Sequence, residues 1–267
     1  MNTIGIDIGS STIKIVEKND KDEILNKLKL EKCDLKQAID EFIKTSKINI
    51  ENIKKIVLTG TGKDSLNEDI YGIPIIKINE LEAIGVGGLL LSKQNEALVI
   101  SMGTGTAFVQ ATPNDCKHIG GTGVGGGTLF NLCKRFTCII DFKDIEKAIE
   151  LGSLKNIDLT MQDISNEEIS TLPKDITTSN FGKLNELANE NDIILGIANM
   201  VFETIGMMAV FATKQTESRN IVVIGSLTKI PYLRKVLDKI EILHNVKFII
   251  PKDAEFGAVL GAIKIAK

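Results

Sequence analysis

Residues 4–14 read Ile-Gly-Ile-Asp-Ile-Gly-Ser-Ser-Thr-Ile-Lys, and residues 98–108 read Leu-Val-Ile-Ser-Met-Gly-Thr-Gly-Thr-Ala-Phe. Each is an apolar strand, a turn of small residues and a second strand. Small residues at such a tip leave backbone N–H groups open to an anion. The pair therefore predicts one device used twice, a β-hairpin whose tip holds phosphate. Neither stretch carries the Gly-Lys-Ser/Thr ending of a Walker loop.

A third stretch lies between them and the C-terminus. Residues 120–127, Gly-Gly-Thr-Gly-Val-Gly-Gly-Gly, contain six glycines in eight positions. Glycine gives up more backbone freedom on folding than any other residue, so the run needs a reason. Leu129, Phe130, Leu132, Cys133 and Phe136 follow at helical spacing, and Thr128 is placed to cap that helix. A glycine turn feeding a helix start aims unpaired N–H groups and the positive dipole end at phosphate. A plain flexible loop fits the same residues.

Composition narrows the classes. The chain has 267 residues and 43% hydrophobic content, enough for a packed core, and a net charge of −3 with no long basic run, which argues against nucleic acid as a partner. Four cysteines without CxxC spacing and two histidines make a zinc site improbable and suit reduced thiols in a cytoplasmic protein. No basic segment precedes an apolar run at the N-terminus, so no signal peptide is expected. The most membrane-like segment, residues 193–213, carries Asn199, Glu203 and Thr204 near its centre and is expected to be a buried helix rather than a span.

Along the chain, strands are expected at residues 3–8, 12–17, 53–59, 74–78, 97–101, 106–111, 220–224 and 246–250. A further hairpin is expected within residues 18–33. Helices are expected at 34–46, 83–91, 193–213, 231–240 and 255–262, with helix fragments between 137 and 190. The polar break at residues 92–96 divides an N-terminal lobe, residues 1–95, from a C-terminal lobe, residues 96–267. Asp7, at a strand end, suits a metal ion held directly or through water, and equally a turn-forming aspartate. Lys14 suits a phosphate, or an ordinary outward strand lysine. Glu80 stands where a strand gives way to a helix, a place for a functional side chain as well as for a first-turn carboxylate favoured by the helix dipole. Glu82 fits the second description better.

The ordered set Gly5-Ile-Asp-Ile-Gly, Gly103-Thr-Gly-Thr, residues 120–127, Asp175-Ile-Thr-Thr-Ser-Asn-Phe-Gly and Asn220-Ile-Val-Val-Ile-Gly-Ser resembles the type II pantothenate kinases of the actin-like ATPase superfamily over essentially the whole chain. The first two motifs are superfamily-wide; residues 120–127 together with 175–182 are far more specific. The resemblance implies an α/β, two-lobed actin-like ATPase (ribonuclease H-like) fold with the nucleotide in the interlobe cleft. It implies a cytoplasmic homodimer that moves the γ-phosphoryl of ATP, with Mg²⁺, onto the primary hydroxyl of pantothenate, with no membrane partner. By position, Glu80 matches the catalytic base. Asp7, Gly9, Ser10, Ser11, Thr12 and Lys14 fall on the first phosphate hairpin, and Gly103, Thr104 and Gly105 on the second. Gly125, Gly126 and Gly127 match nucleotide-binding glycines, Phe142 and Ser226 adenosine-side contacts, and Asp7 a Mg²⁺ site reached through water. His118 and Thr122 fall where the acceptor binds.

Two departures stand out. The arginine that contacts the acceptor in the family is His118 here, with Lys117 beside it, and the usual Gly-Gly of the first turn is Gly9-Ser10. The missing arginine keeps open a kinase of the same fold that phosphorylates another alcohol, such as an amino sugar. A nucleotide-driven activator ATPase is a third possibility. Activators of this fold bind an iron–sulfur cluster through cysteines, and Cys33, Cys116, Cys133 and Cys138 form no recognisable motif for one.

Overall fold

The structure is a computed structural model that describes residues 1–65, 69–139, 141–164, 173–216 and 218–267. The first three strands, β1 (Asn2–Ile8), β2 (Thr12–Lys18) and β3 (Ile24–Glu31), form an antiparallel meander. Helix α1 (Leu35–Ser46) follows, its first turn capped by the Asp34 carboxylate, which accepts from the Gln37 N–H at 3.1 Å. Strands β4 (Ile53–Thr59) and β5 (Ile75–Lys77) then add in parallel, giving the order β3-β2-β1-β4-β5. Residues alternate between the two faces of a strand. Ile4, Ile6, Ile8, Ile13, Ile15, Ile56 and Leu58 accordingly form one apolar face covered by Leu35, Ala38, Ile39 and Phe42 of α1. The opposite face carries Gly5, Asp7, Lys14, Val57 and Thr59.

Helix α2 (Glu80–Ser92) leads to the second sheet. Its strands are β6 (Ala97–Met102), β7 (Thr106–Ala111) and β8 (Cys116–Thr122) in an antiparallel meander, with β11 (Asn220–Ile224) and β12 (Lys247–Ile249) added in parallel. The order β12-β11-β6-β7-β8 reproduces that of the first sheet strand for strand. Between the two parts of this sheet run α3 (Gly126–Phe136), α4 (Phe142–Leu151), β9 (Leu159–Thr160), α5 (Met161–Ile164), β10 (Thr177–Ser179) and the long α6 (Glu190–Thr213). Helix α6 is long and apolar enough to cross a membrane, but most of it is buried on the second sheet through Ile194, Ala198, Phe202, Ile205 and Ala209. Helices α7 (Tyr232–His244) and α8 (Gly257–Ile265) complete the chain.

Three differences from the sequence expectations have clear causes. Helix α2 starts at Glu80 rather than Ala83, because the Asn79 side chain accepts from the Leu81 and Glu82 N–H groups. Helix α3 starts two residues before Thr128. The Thr128 hydroxyl turns back instead, accepting from the Gly125 N–H at 3.2 Å and donating to the Gly123 carbonyl at 3.0 Å. Strand β8 was not expected, since Gly120 and Gly121 have low strand propensity, yet Gly120 and Gly121 pair with Phe108 and Ala107. Of the stretch 137–190, residues 165–172 lie outside the described residues.

The sheets are joined through α2 and α8. Helix α8 lies on the first sheet, with Val259 and Ile263 over Gly5, while α2 lies on the second, with Gly88 against Val99 and Gly85 against Cys116. The two helices meet backbone to backbone. A methyl on Gly87 would sit 2.0 Å from the Gly257 carbonyl oxygen, and one on Gly261 the same 2.0 Å from that of Ala83. Relieving such overlap means parting the helices. Gly261→Ala is therefore expected to destabilise the fold by about 1–3 kcal/mol, the usual range for overpacking. Gly123→Ala, whose added methyl meets nothing within 4 Å, serves as the control in the same thermal melts. Equal melting points for the two variants would refute the helix-contact assignment.

Candidate active site

Asp7, next to last in β1, lies on the face away from α1, directly in register with Lys14 of β2 and Thr59 of β4. All three are buried, at 8%, 7% and 0% exposure. The Lys14 Nζ lies 3.7 Å from Asp7 Oδ2. The outward strand lysine considered for position 14 is thus ruled out, because its charge points into the molecule against a carboxylate. Gly60, next along β4, has φ +90°, and a Cβ there would meet the Ile8 carbonyl at 2.6 Å and Asp7 Oδ1 at 2.7 Å. Only glycine accepts both that backbone and that neighbour.

Glu80 opens α2 above these groups. Burial pushes its carboxyl above the ordinary value, and the Asp7 charge adds to this; Lys63 and Lys14 oppose it. Glu80 is half-buried, whereas Glu82 is exposed at the outer side of the same turn. Lys63, in the short turn after Gly60-Thr61-Gly62, joins the site through its charge. Nothing in the sequence marked Lys63 or Thr59. The only cue was the small-residue stretch that places them at the end of a strand.

The two hairpin tips face each other across the gap between sheets. The Ser10 hydroxyl donates to Thr104 Oγ1 at 2.8 Å, and Ser11 Oγ lies 2.8 Å from the same atom. Ser10, Ser11 and Thr104 are all exposed. Among the described residues the N–H groups of these three find no acceptor. Gly9 differs, its N–H donating to the Thr12 carbonyl at 3.0 Å, and the Gly103 N–H donates to Gly105 at 2.9 Å.

In the glycine-rich stretch two of the N–H groups at the helix start are already paired. The Gly126 N–H donates to the Gly103 carbonyl at 2.8 Å and the Gly127 N–H to that of Thr104 at 2.9 Å. These glycines hold the start of α3 against the second hairpin tip, where a Cβ on Gly125 would fall 2.6 Å from the Thr104 carbonyl. Ser226 opens the turn after β11, and its neighbour Leu227 packs beside Gly126. Phe142 begins α4 and is packed against the core of the second sheet.

The acceptor-side pair is not brought together on one face. In β8 a bulge sets His118 opposite Val109 and Gly120 opposite Phe108. His118 thus shares the α2-facing side with Cys116, while Thr122 falls on the other side. The Thr122 hydroxyl accepts from the Val124 N–H at 3.1 Å, a local turn contact. His118 is exposed.

The stretch 175–182 is not a bare loop. Thr177 and Asn180 donate to the Glu203 carboxylate of α6 at 2.8 and 2.9 Å, and the Phe181 N–H donates to the buried Asp158 at 2.9 Å. Asn199 donates to Asp158 and accepts from the Tyr232 hydroxyl. Burial raises the Asp158 carboxyl. Asp158, Thr177, Asn199 and Glu203 of this network line a cavity of about 420 Å³. Cys133 is a core residue of α3, its thiol pushed up to about 12 by burial.

Residues 91–234 match the Fumble family. A type II pantothenate kinase of Bacillus thuringiensis subsp. konkukian (strain 97-27) is 31% identical over 274 residues, covering 98% of this chain and 96% of the relative. The chain belongs to the type II pantothenate kinase family. A second member, from Staphylococcus aureus (strain MRSA252), is 28% identical over 99% of both chains. The fold is that of the actin-like ATPases. An activator of 2-hydroxyisocaproyl-CoA dehydratase from Clostridium difficile with bound ADPNP superposes with a TM-score of 0.71 at 17% identity, covering 98% of this chain and 92% of that one. At that identity the likeness concerns the fold alone. The departure from the family at His118 therefore falls on an exposed edge-strand position, away from the buried Asp7–Lys14 pair.

Proposed function

We propose that this protein transfers the γ-phosphoryl group of Mg-ATP to the primary hydroxyl of pantothenate, starting coenzyme A synthesis. The observation that carries the assignment is a half-buried carboxylate, Glu80, set above the buried Asp7–Lys14 pair beside two facing hairpin tips, in a chain of this family. Phosphoryl transfer needs positioning and charge neutralisation more than covalent help. The free amides of Ser10, Ser11 and Thr104, with Lys14, bind the ATP phosphates, and Gly103, Gly105 and Gly125–Gly127 shape the second tip from behind. Gly9 and Thr12 close the first tip on each other. Ser226 and Phe142 lie on the adenosine side. Glu80 orients the acceptor hydroxyl and takes its proton.

The donor set suits Mg²⁺. It is commonly held by one or two carboxylates, waters and substrate phosphates, and Asp7 supplies one buried carboxylate beside the phosphate-facing amides. Among the described residues no group of three or more His, Cys, Asp or Glu forms an all-protein cage. Bound near Asp7, the ion would neutralise phosphate charge.

We read residues 1–95 and 96–267 as the two lobes, the nucleotide lying between their hairpin tips and α2 and α8 crossing from one lobe to the other. A cytoplasmic homodimer belongs to the same proposal. A coupled ADP-release assay against pantothenate, pantetheine and amino sugars tests it, with activity expected on pantothenate and an amino-sugar preference counting against it.

His118 and Thr122 are proposed on the acceptor side. Histidine lacks the permanent charge and donor fork of arginine. His118→Arg is expected to lower the pantothenate KM several-fold, since charge-assisted hydrogen bonds are about twice as strong as neutral ones. An unchanged KM would place His118 outside the acceptor site.

A further inference from the structure

Thr59 Oγ1 is wholly buried and is one of two such side-chain atoms without a hydrogen-bond partner among the described residues. A buried hydroxyl without a partner is costly, so its retention points to a partner gained in another state. Its place in the fold says which. Strand β4 runs parallel to β5, and the chain leaves β5 beside the β4 carboxyl end, where the Ile78 N–H donates to the Leu58 carbonyl at 2.8 Å, so α2 starts there at Glu80. Val57 of β4 shares one apolar cluster with Ile78, Ala83 of α2 and Ala262 of α8. Two residues on, Thr59 lies on the same strand face, and one turn back from Ala83 along α2 is Glu80. Thr59 thus lies at the β4 end where α2 starts, with Asp7 in register on one side and Glu80 opening the helix on the other. Asp7 is its neighbour in register, but both are fixed in adjacent strands, and a bond between them would already be formed. Glu80, half-buried on the first turn of α2, is the other acidic neighbour.

We infer that Thr59 is a positioning residue for Glu80. As Glu80 turns toward the acceptor, the Thr59 hydroxyl donates to one carboxylate oxygen and leaves the other to face the acceptor hydroxyl and take its proton. Glu80 is then fixed in one orientation during transfer and released afterwards. This inference rests on Glu80 being the base.

The test compares Thr59→Val, which keeps the shape and removes the hydroxyl, with Thr59→Ser, which keeps the hydroxyl. In the substrate-free protein Thr59→Val should melt higher by about 2–4 °C, because an unpaired buried donor has been removed. Its kcat should fall about tenfold, the scale of one lost hydrogen bond to a charged group, with both KM values within about twofold of the parent. Thr59→Ser should recover kcat to within about threefold without the gain in melting point. In a Glu80→Gln background Thr59→Val should cause no further loss. A Thr59→Val protein that melts lower, or turns over like the parent, overturns the inference, as does a Thr59→Ser protein as slow as Thr59→Val. A parent protein silent on pantothenate but active on another alcohol contradicts the acceptor assignment alone, and the comparison is then read on that alcohol. The melting comparison needs no substrate.

Discussion

Glu80→Gln is expected to lower kcat by about 10²–10⁴-fold, the usual loss on removing a general base. Glutamine keeps the size and most of the hydrogen bonding, so Mg-ATP affinity should stay close to the parent value. Glu82→Gln is the matched control, one turn position away but exposed, and should turn over normally. The pH dependence has a defined sign. Burial and the Asp7 charge raise the Glu80 carboxyl, so its ionised, active form is lost at a higher pH than for an ordinary glutamate. The acidic limb of kcat should therefore lie above the usual carboxylate range in the parent and be absent from whatever activity Glu80→Gln retains. Stability moves the other way. A raised folded-state value means the fold favours the neutral form, so the stabilisation is present at low pH and lost as pH rises through that value. Near neutral pH the ionised Glu80 is a cost, and Glu80→Gln should melt no lower than the parent. Normal turnover in Glu80→Gln with a dead Glu82→Gln would show that the base is the other carboxylate.

Gly126→Val should weaken Mg-ATP binding by about 10–100-fold, corresponding to an overpacking cost of about 1–3 kcal/mol placed on the phosphate site. The reason lies in how this glycine holds the second hairpin tip. The Gly126 N–H already donates to Gly103, and a Cβ at 126 would sit 3.0 Å from the Gly103 carbonyl and 3.5 Å from Leu227. The branched side chain would push the second hairpin tip away from α3, moving the Thr104 amide and the Ser10 and Ser11 contacts with it. Titration calorimetry on the folded variant reads the effect, and unchanged ATP affinity would refute the tip-bracing role.

Much of this fold is legible in the residues, because apolar alternation and turn chemistry agree over long stretches. Residues 3–8 and 12–17 read as a hairpin since Ile4, Ile6, Ile8, Ile13 and Ile15 must share a buried face. The duplicated sheet order was only half visible. Its third strand in the second copy, β8, runs through Gly120 and Gly121, where pairing with β7 overrides weak propensity. Glu80 was legible as a strand-to-helix carboxylate, and the structure adds what the residues alone cannot give, its neighbours Asp7, Lys14 and Lys63. Thr59 and Lys63 escaped notice because their importance comes from register with Asp7 and from α2 starting beside the β4 carboxyl end. The glycine run has a packing role that its residues alone did not announce. The Gly126 and Gly127 N–H groups are spent on the hairpin tip, so glycine there serves close packing of two backbones.

The central claim is the identity of the phosphorylated product. ³¹P nuclear magnetic resonance of the purified protein with Mg-ATP and pantothenate should show one new phosphomonoester signal growing in step with ADP, coupled to the methylene protons of the primary alcohol. ATP consumed to inorganic phosphate, with no phosphomonoester on pantothenate, would contradict it.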